Sequence, residues 1–122
     1  MLLAVLPPLS LVGPAWQATG YNNGRGAVQS VMAGTELDIT FGSDGQTSGS
    51  AGCNRFSGPY ESTETTITIG PLGSTRMACD GPIMEQESAY LQALQRATTY
   101  RFENGRLVLR DASGATQATF TQ

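Results

Sequence analysis

Apolar and polar residues alternate most strictly at Leu37-Asp38-Ile39-Thr40-Phe41, which predicts a strand with Leu37, Ile39 and Phe41 turned inward. The same period of two runs through Ala15 to Tyr21, where Trp16 serves as a core anchor, and through Thr66-Ile67-Thr68-Ile69. Phe56 and Tyr60 share one face of a strand from Phe56 to Ser62. Ala27 to Met32 reads as a short edge strand. Gln46 to about Ser50 reads as a strand of small residues, which implies close approach of another backbone or side chain. The last third reads as a three-strand meander: Tyr100 to Phe102, Leu107 to Leu109 and Thr116 to Thr121. Turn signals separate these runs, at Ser43-Asp44-Gly45, at Gly70-Pro71-Leu72-Gly73 and, most clearly, at Asn104-Gly105.

The period changes to that of a helix in one place. Ile83, Met84, Tyr90, Leu91, Leu94 and Ala97 form a stripe, opened by Asp80-Gly81-Pro82 and ended by Thr98 and Thr99. Asp80 is the expected cap, and Pro82 suits the first turn. Glu85 and Glu87 are expected near the positive end of the helix dipole. The pattern therefore predicts an α+β, mainly β fold, with about eight short strands forming a partly open barrel and one α-helix packed on it. Residues 15–122 make the domain. Residues 1–14 read as a leader remnant or linker, because Pro7-Pro8 breaks the apolar run and no basic residue precedes Arg25. The run is also too short to span a bilayer, so no transmembrane segment is expected.

Charge narrows the functions available. The seven basic residues are all arginine, at 25, 55, 76, 96, 101, 106 and 110, and the net charge is −3. No basic run exists to follow a phosphate backbone, so nucleic acid is not an expected partner. Histidine is absent, which removes the commonest general base and zinc ligand. No pattern for a phosphate loop, calcium loop or metal cluster is present, so no cofactor is expected. Ser74-Thr75 lacks an activating base.

Two features remain. Cys53 and Cys79 would pair in an oxidising compartment and would be small buried thiols in a reducing one. A redox role would need a lowered thiol pKa; Cys79 does lie just before the helix with Arg76 three residues back, but no Cys-x-x-Cys partner exists. The structural bridge is the reading adopted. Glu87 falls in the middle of the apolar stripe, where a carboxylate must be satisfied. Arg76 or Arg55 is the expected partner, with hydrogen bonds to strand backbone as the other structural solution; the functional rival is a general acid. Asn54 is expected to bond within its own turn.

The segments Gly52-Cys53-Asn54-Arg55-Phe56-Ser57-Gly58-x-Tyr60, Ile69-Gly-Pro-Leu-Gly-Ser-Thr75-Arg76-Met77-Ala78-Cys79 and Met84-x-x-Glu87-x-x-Tyr90-Leu91-x-x-Leu94 resemble the META domain, also called the HslJ-like family. Leu107-x-Leu109-x-Asp111-x-x-Gly114 is similar to its closing hairpin. The resemblance implies a small barrel-like fold with one helix, in bacterial envelope proteins or lipoproteins of which some are heat-inducible. It brings no established catalytic activity. The expected function is therefore a non-enzymatic binding or assembly module in the periplasm, envelope or a secreted setting, linked to stress, with an unknown protein partner. The alternative is a carrier that holds a lipid or small hydrophobic ligand in the barrel. An interior filled by Trp16, Phe41, Phe56, Leu91 and Leu94 would count against the carrier.

Overall fold

The computed structural model describes residues 10–122. Ten strands and one helix follow in the order β1 (Ala15–Asn22), β2 (Val28–Ser30), β3 (Asp38–Phe41), β4 (Gln46–Ser50), β5 (Arg55–Ser62), β6 (Ile67–Ile69), β7 (Gly73–Ser74), α1 (Gly81–Arg96), β8 (Thr99–Glu103), β9 (Arg106–Arg110) and β10 (Thr116–Thr121). Eight of them form one antiparallel path, β6-β5-β4-β3-β1-β10-β9-β8, with β2 added to β1 and β7 to β5. The path curls into a nearly closed barrel with one seam, between β6 and β8. There the Ile67 N–H donates to the Thr98 carbonyl and the Tyr100 N–H to the Thr65 carbonyl, each at 3.0 Å.

The alternation read from the sequence is the alternation of burial. Leu37, Ile39 and Phe41 are fully buried, as are Leu107 and Leu109 on β9. Asn104 and Gly105 both take positive φ, 52° and 79°, as the tight β8–β9 turn requires. The glycine in β4 has the reason expected of it. A Cβ at Gly49 would collide with the backbone carbonyl of Asp38 on β3. Strand β7 lies where the sequence indicates only a turn; it pairs Phe56 with Ser74 and Ser57 with Gly73.

The folded body begins ahead of Ala15. Leu11 is buried, Val12 bridges to Phe41, and the Trp16 indole N–H donates to the Leu11 carbonyl at 3.1 Å. Residues 10–14 of the expected leader or linker therefore pack on the barrel; residues 1–9 of it lie outside the described residues.

Helix α1 packs against β1, β10 and β6. Two expectations about its start do not hold. Asp80 makes no side-chain capping bond, and no acidic residue lies in the first turn. Instead, the Asp80 carbonyl accepts the Met84 N–H at 3.0 Å, so the backbone starts the helix. Its stripe is buried at Tyr90 and Leu94, while Ile83, Met84 and Leu91 are half-buried. Gln86 is buried in their stead, because its amide bridges the Met32 N–H (2.8 Å) and the Thr35 hydroxyl (3.0 Å).

Tyr90 carries the helix into the core. Its ring packs edge-on against Phe56 and Phe120, at centroid distances of 6.0 and 6.5 Å. Its hydroxyl donates to the Asp38 carbonyl at 2.9 Å. Burial, with the nearby Asp38 charge adding, pushes the Tyr90 phenol well above its usual range. A raised phenol stabilises the fold fully below the unfolded tyrosine value of about 10, and that stability is lost as pH climbs beyond it. Alkaline unfolding should thus begin above about pH 10, and Tyr90→Phe should flatten that limb in urea titrations at stepped pH. An unchanged limb in the variant would assign it to other groups.

Candidate functional site

Of the chemistry-bearing residues singled out in the sequence, Cys53, Asn54, Glu87 and Cys79 meet at the bend between β4 and β5. Gly52 takes φ 106° there, a conformation that suits glycine. The bend aims the amides of Cys53 and Asn54 at α1. Glu87 lies seven residues into the helix and reaches them: its Oε1 accepts the Asn54 N–H at 2.6 Å and the Cys53 N–H at 3.2 Å. Its Oε2 accepts the Asn54 amide N–H at 2.7 Å. Both residues are buried.

Asn54 does not bond its own turn. Its Oδ1 accepts from the Met77 N–H (2.6 Å) and the Thr75 hydroxyl (2.9 Å), and its Nδ2 also donates to the Met77 carbonyl (3.1 Å). It therefore ties three elements at once: the bend, the helix through Glu87, and the exposed strap from Gly73 to Asp80. The disulfide Cys53–Cys79 fastens the same strap, with Cα atoms 6.1 Å apart. A local bond would satisfy one asparagine atom; the strap's backbone satisfies both.

Arg76 and Arg55 are not partners of Glu87. Both are exposed, and among the described residues the one ion pair is Arg110–Glu103, at 2.6 Å. Backbone and amide donors satisfy the buried carboxylate without a counter-charge, as carboxylates at chain bends can be. Thr75 accepts the Arg55 N–H at 3.2 Å and spends its own proton on Asn54, so the Ser74-Thr75 pair is part of the same framework.

The barrel interior is filled. Trp16, Phe41, Phe56, Leu94 and Phe120 are buried and contiguous, and the expected filler Leu91 sits half-buried at the margin. The surface hollows are shallow and polar. One, of about 240 Å³, lies between the β1–β2 turn and α1, lined by Tyr21, Asn23, Arg25, Gln29 and Gln86 among others. Among the described residues no group of three or more cysteine, aspartate or glutamate side chains could hold a metal ion. No described helix is long and apolar enough to cross a membrane.

The model of the META domain matches residues 9–122. This chain belongs to the META-domain family. The META fold of the chain is similar to a protein from Burkholderia xenovorans determined by NMR, with 29% identity and a TM-score of 0.72 over 99% of this chain and 94% of that one. A second NMR structure shares 25% identity and a TM-score of 0.63 over 88% of this chain and 86% of the other. A DUF4847 family protein from Bacteroides vulgatus shares the fold alone, at 21% identity and a TM-score of 0.53, over 70% of this chain and 57% of that chain. No curated protein matches the chain. In this META domain the Gly-Cys-Asn, Thr-x-Met-x-Cys and Glu87 elements are thus one physical unit: bend, strap and helix joined at Asn54.

Proposed function

We propose that this META-domain protein is a non-enzymatic binding or assembly module of the bacterial envelope or a secreted setting, with a role under stress. One observation carries the reading. The groups best able to do chemistry are committed to the framework: both oxygens of Glu87, both amide atoms of Asn54 and both sulfurs. A general acid needs a proton to exchange with a substrate, and a thiol nucleophile needs a free sulfur. The bridge supports an oxidising compartment. The filled interior gives the carrier alternative no support.

The test has two parts. Alkylation of acid-quenched source cells should leave Cys53 and Cys79 unlabelled until a reductant is added; prompt labelling would remove the oxidising compartment. Immobilised protein should retain a saturable partner from envelope extract that free protein competes away. Absence of any saturable partner, or stoichiometric lipid on native mass spectrometry, would overturn the module.

A further inference from the structure

The outward face of the β8–β9–β10 meander gathers positive charge in an acidic protein. Arg106, Val108 and Arg110 occupy alternate positions of β9 and so share the face opposite Leu107 and Leu109; Val108, between the two arginines, is itself buried. The register sets Arg101 across from Val108 on one side and Thr119 on the other. Three arginines against one glutamate give this face +2, while four arginines against nine carboxylates elsewhere give −5. Glu103 bonds Arg110 at 2.6 Å, and that bond, with the Arg101 charge adding, holds its carboxyl below the usual range. Arg101 and Arg106 are exposed and make no ion pair among the described residues. Open hollows flank the Arg110–Glu103 pair, one bordered by Thr99 and Arg101, the other by Arg106 and Val108.

We propose that this face docks an extended acidic polypeptide segment, with its carboxylates at alternate positions, on Arg101, Arg106 and Arg110. The inference rests on the binding-module reading and names the chemistry of its partner. Along a strand, Arg106 and Arg110 are about 13–14 Å apart, with Arg101 beside the midpoint. Side chains on one face of an extended peptide repeat about every 7 Å, the interval between the backbone positions of these three arginines; the Arg110 guanidinium, which leans to Glu103 at 2.6 Å, exchanges that carboxylate for one of the peptide's on docking. Guanidinium forks take carboxylates in two-bond geometry, which a lysine ammonium does not. A flat anionic membrane fits less well. A membrane surface extends past the three arginines towards the remainder of the molecule, which carries −5.

The experiment follows fluorescence anisotropy of a labelled peptide alternating glutamate and threonine, at low and physiological salt. Saturable binding is expected, weakened about tenfold or more by Arg101→Ser with Arg106→Ser and abolished by glutamine in place of glutamate. The same charge change elsewhere, Arg25→Ser with Arg55→Ser, should leave binding within about twofold. Circular dichroism checks that each variant is folded. The proposal falls if the peptide does not bind or if the two double variants bind alike. It falls also if phosphatidylglycerol vesicles bind in the peptide's place. Salt-sensitive self-association abolished by Arg101→Ser with Arg106→Ser would assign the face to a second copy and overturn it too. Should the peptide fail while the envelope partner is still captured, this surface is wrong and the module reading stands; failure of both removes both.

Discussion

Replacing Glu87 by glutamine lowers the melting temperature by roughly 3–15 °C, whereas Glu85→Gln leaves it within about 2 °C. The asymmetry comes from what each carboxylate touches. Glu85 is exposed on α1. Glu87 is buried and accepts three N–H groups, from Cys53, Asn54 and the Asn54 amide. Glutamine keeps one acceptor oxygen and turns a donor against a donor, so at least one buried N–H is left without a partner. Each such orphan costs about 1–3 kcal/mol. At this chain length 1 kcal/mol is worth about 3–5 °C. Thermal melts followed by circular dichroism check the pair; equal shifts would place Glu87 in solvent. Asn54→Ala should couple to Glu87→Gln, because the two remove the same bond, and a double-mutant cycle would show the sum of the single effects to exceed the double.

The second large effect belongs to the strap. Cys53→Ser with Cys79→Ser removes a bridge between residues 26 positions apart. In the chain-entropy account, freeing a loop of that size costs ~3–4 kcal/mol, so the melting temperature should fall by roughly 10–18 °C. Reduction and alkylation of the native protein should reproduce the loss. A change below about 1 kcal/mol would mean that Asn54, through Met77 and Thr75, already holds the strap unaided.

What the sequence disclosed was what repeats. Leu37, Ile39 and Phe41 announce their burial by alternation, and Asn104-Gly105 announces its turn by residue type. The framework showed itself as residue types without partners. Glu87 stood out as a charge in an apolar stripe, but the arginines looked like its natural complement, and Arg76 and Arg55 point to solvent instead. Its true donors are main-chain N–H groups, which every residue owns and no side-chain pattern marks. The type of residue at Asn54 suggests a local bond for the same reason. Its real partners lie 21 to 33 positions away, on the strap and on the helix. Gln86 carries no signal in the sequence, because a polar residue beside an apolar stripe normally faces water. Its burial depends on Met32 and Thr35, 54 and 51 positions distant. Strand β7 is two residues of glycine and serine, too short to show a period. The arginine face was hidden differently. Arg101, Arg106 and Arg110 are visible one by one, but only the β8–β9 register sets them together.

The joint between β1 and β10 sets the tempo of assembly. Thr19 and Thr119 touch hydroxyl to hydroxyl at 2.8 Å across a hundred positions of chain. Elsewhere along the barrel path, neighbours follow closely in sequence, so those hairpins can zip as they emerge from a ribosome. The first strand can only wait, its hydrogen-bonding rim open, until the last has been made. A polypeptide built this way cannot close its barrel until β10 is available to lie along β1.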